Sequence, residues 1–199
     1  MKIFAGLLQG MKIIGKQNSL TTRPTSAKVR EAIMHIIHNE LQDTIFMDLF
    51  SGSGCLGLEA MSRGARGCYF VEKDINAIKL LKKNISNAKD RLSKQGHSID
   101  FAQVVHADVN KLLAKKNTNI ELPDIIWADP PYSYTLTWLK LINKTKPLVF
   151  QKAKLFVLEI HKDLSNDKNI MLANWLKIKQ KDYGNTSVIF FERKGEVCQ

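Results

Sequence analysis

The chain has 199 residues, enough for one domain with at most a small appendage. Its 44% hydrophobic and 25% charged residues are typical of a folded soluble protein, but its formal net charge of +11 is not. Thirty Lys and Arg against 19 Asp and Glu indicate a polyanionic partner, and nucleic acid is the leading candidate. A lysine-rich surface that only aids solubility is the alternative.

The cysteines exclude two classes of small scaffold. Cys55, Cys68 and Cys198 are odd in number and lack C-x-x-C spacing, so neither a disulfide framework nor a metal site is indicated.

No apolar run approaches the ~18 residues that span a membrane. The apolar start of the chain is cut short by Gln9 and Gly10, which argues against a signal peptide. We therefore expect a cytoplasmic protein.

The chain begins with short apolar pieces broken by glycines. We predict a ribbon or hairpin extension over residues 1–25 and the main domain over 26–199. Thr25 or Ser26 is predicted to cap a first helix. The apolar face of that helix is predicted to contain Val29, Ile33, Ile36, Ile37 and Leu41.

Strands and helices are predicted to alternate after that helix. The predicted strands are 45–50, 67–72, 101–106, 125–128, 155–160, 176–183 and 187–192. The predicted helices are 56–63, 75–91 with Asp74 as cap, 109–115, 135–144 and one in the 160s and 170s. This order predicts an α/β, Rossmann-like fold with a mainly parallel seven-stranded sheet. The C-terminal hairpin is expected to supply one antiparallel strand.

A glycine-rich loop follows the first predicted strand. The stretch 48–57, Asp-Leu-Phe-Ser-Gly-Ser-Gly-Cys-Leu-Gly, contains a G-x-G-x-x-G pattern at Gly52, Gly54 and Gly57. Glu72 lies 20 residues after Gly52. Taken alone, this pattern predicts a dinucleotide-binding site.

Asp48 argues against a dinucleotide, because its carboxylate would face a pyrophosphate resting on the helix N-terminus. S-adenosylmethionine carries an ammonium and a sulfonium and no phosphate, so it suits this site better. Asp48 is predicted to anchor its amino-acid end, Glu72 to accept from both ribose hydroxyls, and Asp108 to accept from the adenine amino group. The predicted cofactor-binding residues are Asp48, Phe50, Ser51, Gly52, Gly54, Glu72 and Asp108. For each acid, a helix cap or a surface charge is the alternative.

The tetrapeptide Asp129-Pro130-Pro131-Tyr132 follows the predicted strand 125–128. Adjacent prolines have a fixed φ and no N–H, which predicts a stiff elbow holding a carboxylate, two carbonyl acceptors and an aromatic ring around one planar group. Asp129 and the Pro130 carbonyl are placed to accept the two N–H bonds of an exocyclic base amine, and Tyr132 to stack on the base. Asp129, Pro130 and Tyr132 are therefore the predicted catalytic residues, for direct methyl transfer to a flipped-out base. An ordinary turn at a strand end is the alternative.

The whole chain, from about residue 2 to 193, resembles the RsmD-type 16S ribosomal RNA guanine-N2 methyltransferases. The segments that carry the resemblance are Thr22-Arg23-Pro24-Thr25 with Lys28-Val29-Arg30-Glu31-Ala32, Asp48-Leu49-Phe50-Ser51-Gly52-Ser53-Gly54 with Leu56-Gly57-Leu58-Glu59-Ala60-Met61-Ser62-Arg63-Gly64-Ala65, Asp129-Pro130-Pro131-Tyr132, and Tyr183-Gly184-Asn185-Thr186. The resemblance implies an S-adenosylmethionine-dependent enzyme, expected to be a monomer. The implied substrate is the N2 amine of one guanine in 16S RNA, within the small ribosomal subunit or its assembly intermediate.

The resemblance also implies how the RNA is held. The Arg23-Pro24-Thr25 segment is expected to lie over the active site, and the N-terminal ribbon to contact RNA. The predicted substrate-binding residues are Arg23, Thr25, Arg30, Pro131 and Tyr132, although Arg30 is equally consistent with an exposed helix residue paired with an acid. The family usually has an arginine where this chain has Met11, and Lys12 and Lys16 are candidates to replace it.

Other polar residues are given ordinary roles. His97, His106 and His161 lack ligand spacing and are predicted to be structural or surface residues. Trp127 is predicted to lie in the core, and Glu59 to be an ordinary helix-face residue.

Three rival functions stay open at this point. The elbow chemistry is shared with enzymes that methylate adenine N6 in DNA or glutamine in proteins, although a DNA enzyme normally carries a target-recognition domain. The glycine pattern is also compatible with a nicotinamide-dependent oxidoreductase. A catalytically silent RNA-binding assembly factor is the third rival.

Overall fold

The structure, a computed structural model, describes residues 1–15, 27–117 and 119–194, in two compact units, Met1–Val109 and Asn110–Gln199. The strands are β1 Ile45–Asp48, β2 Gly67–Glu72, β3 Phe101–His106, β4 Ile125–Ala128, β5 Leu155–His161, β6 Trp175–Tyr183 and β7 Thr186–Arg193. The helices are α1 Ala27–Ile36, α2 Cys55–Ser62, α3 Ile75–Lys94, α4 Val109–Leu113 and α5 Thr135–Thr145. None of these helices combines the length and apolar character needed to cross a membrane.

The sheet confirms the predicted α/β fold. Its seven strands have the order β3-β2-β1-β4-β5-β7-β6. In the first unit, β1 pairs with β2 and β2 with β3, both in parallel. In the second, β4 pairs in parallel with β5, and β7 runs antiparallel to both β5 and β6. Within the described chain, β7 is thus the single antiparallel strand that was predicted.

The helix α3 shows why the first unit forms as it does. Asp74 caps it by accepting hydrogen bonds from the N–H groups of Asn76 and Ala77 at 2.7 and 3.1 Å. Its apolar residues recur at helical spacing and are buried, namely Ala77, Ile78, Leu81, Ile85, Ala88 and Leu92. Parallel strands such as β1 need cover on both faces, and an amphipathic helix supplies it.

The second unit has an aromatic core. Phe156 on β5 lies at its centre, with ring centroids 5.2 Å from Phe150, 5.8 Å from Phe191, 6.0 Å from Trp175 and 6.2 Å from Trp138. Rings at these separations contribute packing beyond the area they bury. This core supports β4 and β5, from whose carboxyl ends the elbow and His161 emerge.

The first fifteen residues form a small hairpin, as predicted for this part of the chain. Lys2 and Lys12 form an antiparallel bridge, and the Ile3 N–H donates to the Met11 carbonyl at 3.0 Å. Ile3 and Leu8 are buried. The predicted cap at Thr25 or Ser26 lies outside the described residues, and the division into a 1–25 extension and a 26–199 domain stays a prediction.

One predicted helix does not form, and several ends differ: α4 ends at Leu113 rather than at residue 115, and α3 at Lys94 rather than near residue 91. The prediction of a helix in the 160s and 170s is wrong, because the only helical element there is a 3-10 turn, Lys162–Leu164. The reason is local, because the Asp167 carboxylate accepts from the Asn169 N–H at 2.7 Å, a turn that competes with helix. The first helix ends at Ile36 rather than near Leu41. The first strand ends at Asp48, two residues early.

Candidate active site

The glycine loop leaves β1 in a tight turn. The Ser51 N–H donates to the Val71 carbonyl of β2 at 3.0 Å, and the Gly54 N–H to the Ser51 carbonyl at 2.7 Å. Gly52 and Gly54 have φ of 51° and 77°, in the left-handed region that favours glycine. Gly54 is also the N-cap of α2, and no side chain caps that helix. The turn therefore brings uncapped backbone N–H groups to the carboxyl end of the sheet.

Glu72, at the end of β2, holds this loop in place. Its Oε2 accepts from the Gly52 N–H at 2.9 Å, and its Oε1 accepts from the N–H groups of Lys73 and Asp74, both at 2.8 Å. The 20-residue spacing in the sequence suggested a functional pair, but the direct bond between Glu72 and Gly52 is new. Oε1 already accepts two of these bonds and Oε2 accepts one, so the second lone pair of Oε2 is compatible with a ribose hydroxyl, and acceptance from both hydroxyls stays a prediction.

Asp48 is buried, with only 2% of its surface exposed. Its Oδ1 accepts from the N–H of Phe50 at 3.3 Å, and its own carbonyl accepts from the Ser51 hydroxyl at 2.9 Å. Burial raises the pKa of the nearby Cys68 thiol well above its ordinary value, and the negative charge of Asp48 adds to that effect. An acidic side chain at this position attracts a cationic ligand. Phe50 is half-buried beside it, as a residue lining the loop would be.

Asp108 follows β3, so the three predicted acids belong to adjacent strands of the first unit. Glu72 pairs in register with His106, and the Ala107 N–H donates to the Glu72 carbonyl at 3.1 Å. Asp108 forms an ion pair with Lys73 at 3.9 Å, and both side chains are accessible to solvent. Such an exposed pair adds little to stability, so Asp108 is accessible to a ligand at little energetic cost.

Two glycines of the G-x-G-x-x-G pattern are explained by packing. A Cβ on Gly57 would lie 2.4 Å from Cε1 of Phe70, and one on Gly54 would lie 2.3 Å from Cδ1 of Leu81. At Gly52 nothing lies within 4 Å of such an atom. Gly54 and Gly57 thus allow α2 to approach β2 and α3, and this packing requires glycine whichever ligand binds. The glycine pattern by itself therefore does not indicate a pyrophosphate.

The elbow follows β4 in the second unit. Asp129 is half-buried and Pro130 buried, whereas Pro131 is exposed with φ −50° and ψ 132°. The Pro131 carbonyl accepts from the Tyr134 N–H at 2.8 Å and from the Thr135 hydroxyl at 3.4 Å. The prediction of two available carbonyl acceptors is therefore wrong for Pro131, whose carbonyl starts the next helical turn. The Pro130 carbonyl is the one that the proposed chemistry uses.

Tyr132 is 41% exposed and is held from two sides. Its hydroxyl lies 3.3 Å from Oγ1 of Thr186, and its ring lies edge-to-face with His161 at a centroid distance of 5.1 Å. His161 ends β5, Thr186 begins β7, and the two pair in register. His161 also lies 3.3 Å from a carboxylate oxygen of Asp163. The sequence analysis did not assign His161 to the elbow. It did single out the Tyr183-Gly184-Asn185-Thr186 motif, which contains Thr186, the residue that pairs in register with His161.

Arg30 is buried and not exposed, so that alternative is wrong. It is 2% exposed, its NH2 donates to the Lys2 carbonyl at 3.0 Å, and its guanidinium lies 4.7 Å from the Phe4 ring centroid. These contacts join α1 to the N-terminal hairpin. Its predicted contact with substrate stays a prediction.

Glu59, expected to be an ordinary helix-face residue, is a buried anchor for the hairpin. Its carboxylate accepts from the Phe4 N–H at 2.9 Å and the Ala5 N–H at 3.1 Å, and pairs with Arg63 at 2.9 Å. The Ser62 hydroxyl accepts from the Leu8 N–H at 2.9 Å. The Leu-Gly-Leu-Glu-Ala motif contained this residue, but its hairpin partners Phe4 and Ala5 are more than fifty positions away and leave no local pattern.

The remaining residues predicted to lie on the substrate side fall into three sets. Met11, which stands where the family usually has an arginine, is buried, whereas Lys12 is exposed beside it. Arg23, Thr25 and Lys16 lie outside the described residues. Pro131 and Tyr132 are both exposed at the elbow.

Comparison with known proteins gives matches along nearly the whole chain. A family model described as conserved hypothetical protein 95 matches residues 1–192. The ribosomal RNA small subunit methyltransferase D of Haemophilus influenzae is 29% identical over 192 residues, 96% of this chain and 93% of that relative. The protein of the same name from Buchnera aphidicola subsp. Acyrthosiphon pisum is 32% identical over 180 residues, 90% of this chain and 86% of that relative.

Solved structures share the fold. The yhhF protein of Escherichia coli has a TM-score of 0.72 at 25% identity and covers 98% of each chain. An RNA methyltransferase from Salinibacter ruber, solved in complex with S-adenosyl-L-homocysteine, has a TM-score of 0.57 at 14% identity, covering 88% of this chain and 96% of that one. At that identity, the second likeness shows the fold alone.

Proposed function

This chain belongs to the family described as conserved hypothetical protein 95, which confirms the RsmD-type resemblance, and we propose that it methylates the N2 amine of one guanine in 16S ribosomal RNA. S-adenosylmethionine is the methyl donor, and the substrate is the small ribosomal subunit or its assembly intermediate. The protein acts as a cytoplasmic monomer. The observation that carries the proposal is the presence of two chemical halves in one chain: three acids at adjacent strand ends, and an Asp-Pro-Pro-Tyr elbow. Relatives named for small-subunit RNA support the class of substrate.

The first half suits S-adenosylmethionine. Asp48, buried at the end of β1, attracts the ammonium of its amino-acid end. Glu72, already bonded to Gly52, accepts from the ribose hydroxyls, and Asp108 accepts from the adenine amine. Phe50 lines the loop beside them. When bound, the cofactor supplies a methyl group on a sulfonium, an electrophile that needs no metal.

The elbow prepares the nucleophile. The lone pair of a base amine is delocalised into the ring, so the amine is a weak nucleophile. The Asp129 carboxylate and the Pro130 carbonyl accept its two N–H bonds, which favours a pyramidal nitrogen with an available lone pair. After transfer of the methyl group the nitrogen would carry one proton too many, and Asp129 would take that proton. Tyr132, held by Thr186 and His161, stacks on the flipped base.

The basic charge favours RNA over a protein substrate. The net charge of +11 suits a phosphate backbone, and the exposed ring of Tyr132 gives a flipped base a surface on which to stack. The experiment that decides the substrate uses labelled S-adenosylmethionine and small-subunit particles from cells lacking the enzyme. Label on N2 of a single guanine is the expected result. Label on an adenine, on another guanine atom or on ribosomal protein contradicts the proposal.

Asp129→Asn tests the elbow. The substitution keeps the shape of the side chain and removes its charge, so we expect methyl transfer to fall by a factor of about 10²–10⁴. Binding of S-adenosylhomocysteine, measured by calorimetry, is expected to stay within about twofold of the unmodified protein. Asp90→Asn, which changes an exposed carboxylate on α3 in the same way, is the matched control and leaves both quantities unchanged. Full turnover in Asp129→Asn would refute the role of Asp129.

A thermal-shift titration separates the methyltransferase from the nicotinamide-dependent rival. S-adenosylhomocysteine is expected to raise the melting temperature, because a ligand that binds only the folded state stabilises it by mass action. NADH at the same concentrations is expected to leave it unchanged, since Asp48 disfavours a pyrophosphate at the loop. The reverse pattern would eliminate the proposed cofactor.

A further inference from the structure

The second unit contains a cavity of about 360 Å³. Its floor is apolar and includes Phe150, Leu172 and Trp175, all of them buried. Its rim is polar and includes the exposed side chain of Asn174. An apolar floor with a few polar groups, in a volume of roughly 300–1,000 Å³, is the usual form of a small-ligand site.

This cavity and the elbow lie at opposite ends of the second unit. Arg193, which lines the cavity, donates from its backbone N–H to the Lys154 carbonyl at 3.0 Å, just before β5 begins. His161, which contacts the ring of Tyr132, ends the same strand. At the usual rise per residue, the two ends of β5 lie roughly 20 Å apart. The cavity is therefore separate from the proposed catalytic site.

The rim of the cavity is cationic. Lys146 is exposed there and Arg193 is half-buried, and none of the described residues that line the cavity is acidic. Arg193 is held in place, because its Nη1 donates to the Phe150 carbonyl at 2.8 Å and to the Gln151 carbonyl. A guanidinium has five N–H donors on three nitrogens, and these bonds use one nitrogen. The rim thus presents two positive charges to an anionic ligand.

The walls of the cavity are fixed by specific contacts. Asn143 donates to the Met171 carbonyl at 2.7 Å and accepts from the Ala173 N–H at 3.0 Å, which ties this segment to α5. Lys146 is the C-cap of α5 and has a φ of 45°, a left-handed conformation that helix ends usually give to glycine. Backbone strain of this kind is concentrated at ligand sites.

We propose that the cavity binds one unstacked nucleotide of the RNA substrate, with its base against the apolar floor and its phosphate at Lys146 and Arg193. The inference rests on the proposed function, because it takes the macromolecular ligand to be RNA. A nucleotide joins the two parts that the cavity suits, an apolar ring and an anion. Proteins recognise RNA largely through unstacked bases, and lysine and arginine hold its phosphates. A nucleotide held here fixes the RNA at a second point, far from the reacting base.

Uridine 5′-monophosphate tests the cavity directly, and it lacks the adenine that the proposed cofactor loop binds. In NMR spectra the indole N–H signal of Trp175 reports on the cavity. The signal of Trp127 on β4 is the internal reference, because Trp127 does not line the cavity. We expect a saturable shift at Trp175 and none at Trp127. Uridine is expected to bind at least about tenfold more weakly, because it lacks the phosphate and its charge-assisted hydrogen bonds.

Lys146→Gly removes one cation and suits the backbone, since glycine adopts a φ of 45° without strain. We expect it to weaken binding of uridine 5′-monophosphate at least about fivefold. The slope of log affinity for small-subunit particles against log salt should become shallower by about 0.7–1, which corresponds to one lost phosphate contact. Lys140→Ala is the matched control, because it removes the same charge from an exposed position of α5 outside the cavity. It is expected to bind the nucleotide as the unmodified protein does.

Three results would overturn the proposal. They are no shift at Trp175, equal affinities for uridine and its monophosphate, and equal nucleotide binding by Lys146→Gly and Lys140→Ala. The first two need no substitution. An unchanged salt slope in Lys146→Gly, with its nucleotide binding weakened, would assign the cavity to a free nucleotide and overturn RNA as its ligand. Methylation of particles without a shift at Trp175 refutes the cavity alone, whereas a shift at Trp175 with unmethylated particles refutes the proposed function alone.

Discussion

At the scale of single residues, buried polar side chains hold the N-terminal hairpin on the first unit. Glu59, Arg30 and Asn84 each bond backbone groups of residues 2–14, and each is buried. Buried carboxylates and amides are tolerated when hydrogen-bonded, so the partners of Glu59 and Asn84 are strongly determined. These contacts give the hairpin one defined position although it has little sheet pairing of its own.

Glu59→Ala tests this anchoring. The substitution leaves the N–H groups of Phe4 and Ala5 without an acceptor and Arg63 without its carboxylate, so we expect the free energy of unfolding to fall by about 3–5 kcal/mol. Urea denaturation measures the change. Glu31→Ala, an exposed acid on α1, is the control and is expected to stay within about 0.5 kcal/mol. Equal losses in the two variants would show that Glu59 is not an anchor.

Cys55 makes stability fall at alkaline pH. Burial raises the pKa of its thiol from 9.0 to about 11, with Arg30 opposing and the charges of Glu59 and Asp48 adding to the shift. The Cys55 thiol ionises near pH 9 in the unfolded chain, whereas in the folded chain it keeps its proton to higher pH. The stability that the protonated thiol contributes is therefore complete below pH 9 and is lost as the pH rises toward 11. The expected slope is about 1.4 kcal/mol per pH unit for this group. In Cys55→Ala, the free energy of unfolding should fall less steeply with pH by this amount. Urea titrations from pH 8 to 11 measure the slope, and identical slopes in the variant and the unmodified protein would contradict the assignment.

At the scale of elements, two glycines of the proposed cofactor loop and α2 are required by the packing of α2. Gly57 faces the Phe70 ring and the Cys68 sulfur across the helix–strand contact, and Gly54 faces Leu81 of α3. A helix so close to its strand brings the glycine turn directly over the carboxyl end of β1. The loop geometry thus depends on side chains two elements away.

Gly57→Ala should destabilise the protein although alanine is the better helix former. Its Cβ would meet the Phe70 ring at 2.4 Å and the Cys68 sulfur at 2.7 Å, and overpacking of this kind costs about 1–3 kcal/mol. Thermal unfolding measures the loss. Phe70→Leu made together with Gly57→Ala should recover part of it, because the obstructing ring is gone. Simple addition of the two separate losses would exclude the ring as the cause.

At the scale of the whole molecule, the charge of +11 is spread over a surface rich in lysine. Exposed lysines occur on α3 and along β6 as well as on the hairpin. Exposed lysines attract a polyanion, whereas Asp48 and Glu72 place acidic side chains at the proposed cofactor loop. Charge therefore separates the two proposed ligands of this protein, an RNA and a small cation.

Binding to small-subunit particles should depend steeply on salt. Each phosphate contact releases counterions, so the affinity is expected to fall at least about tenfold between 50 and 200 mM monovalent salt. Filter binding or light scattering measures it. S-adenosylhomocysteine affinity, measured in parallel, is expected to change less than about twofold. An RNA affinity that ignores salt would contradict an electrostatic mode of association.

Much of the fold follows from local patterns. Strands β2, β3 and β4 begin and end where predicted, because short apolar runs bounded by glycine or acidic residues leave few alternatives. The Asp74 cap was visible for the same reason. The failed helix after β5 shows the limit, since apolar residues there were outweighed by turns that Asp167 and its neighbours form with their own backbone.

The sequence by itself determined the α/β order, the glycine loop with its three candidate acids, and the Asp-Pro-Pro-Tyr elbow, since each depends on residues close together in the chain. Only the tertiary structure decided that Glu72 bonds Gly52, that His161 and Thr186 hold Tyr132, and that Arg30, Glu59 and Asn84 face inward. These contacts join residues 20 to 70 positions apart. A hydrogen bond or a buried charge finds its partner in space, and no spacing along the chain records which partner that is.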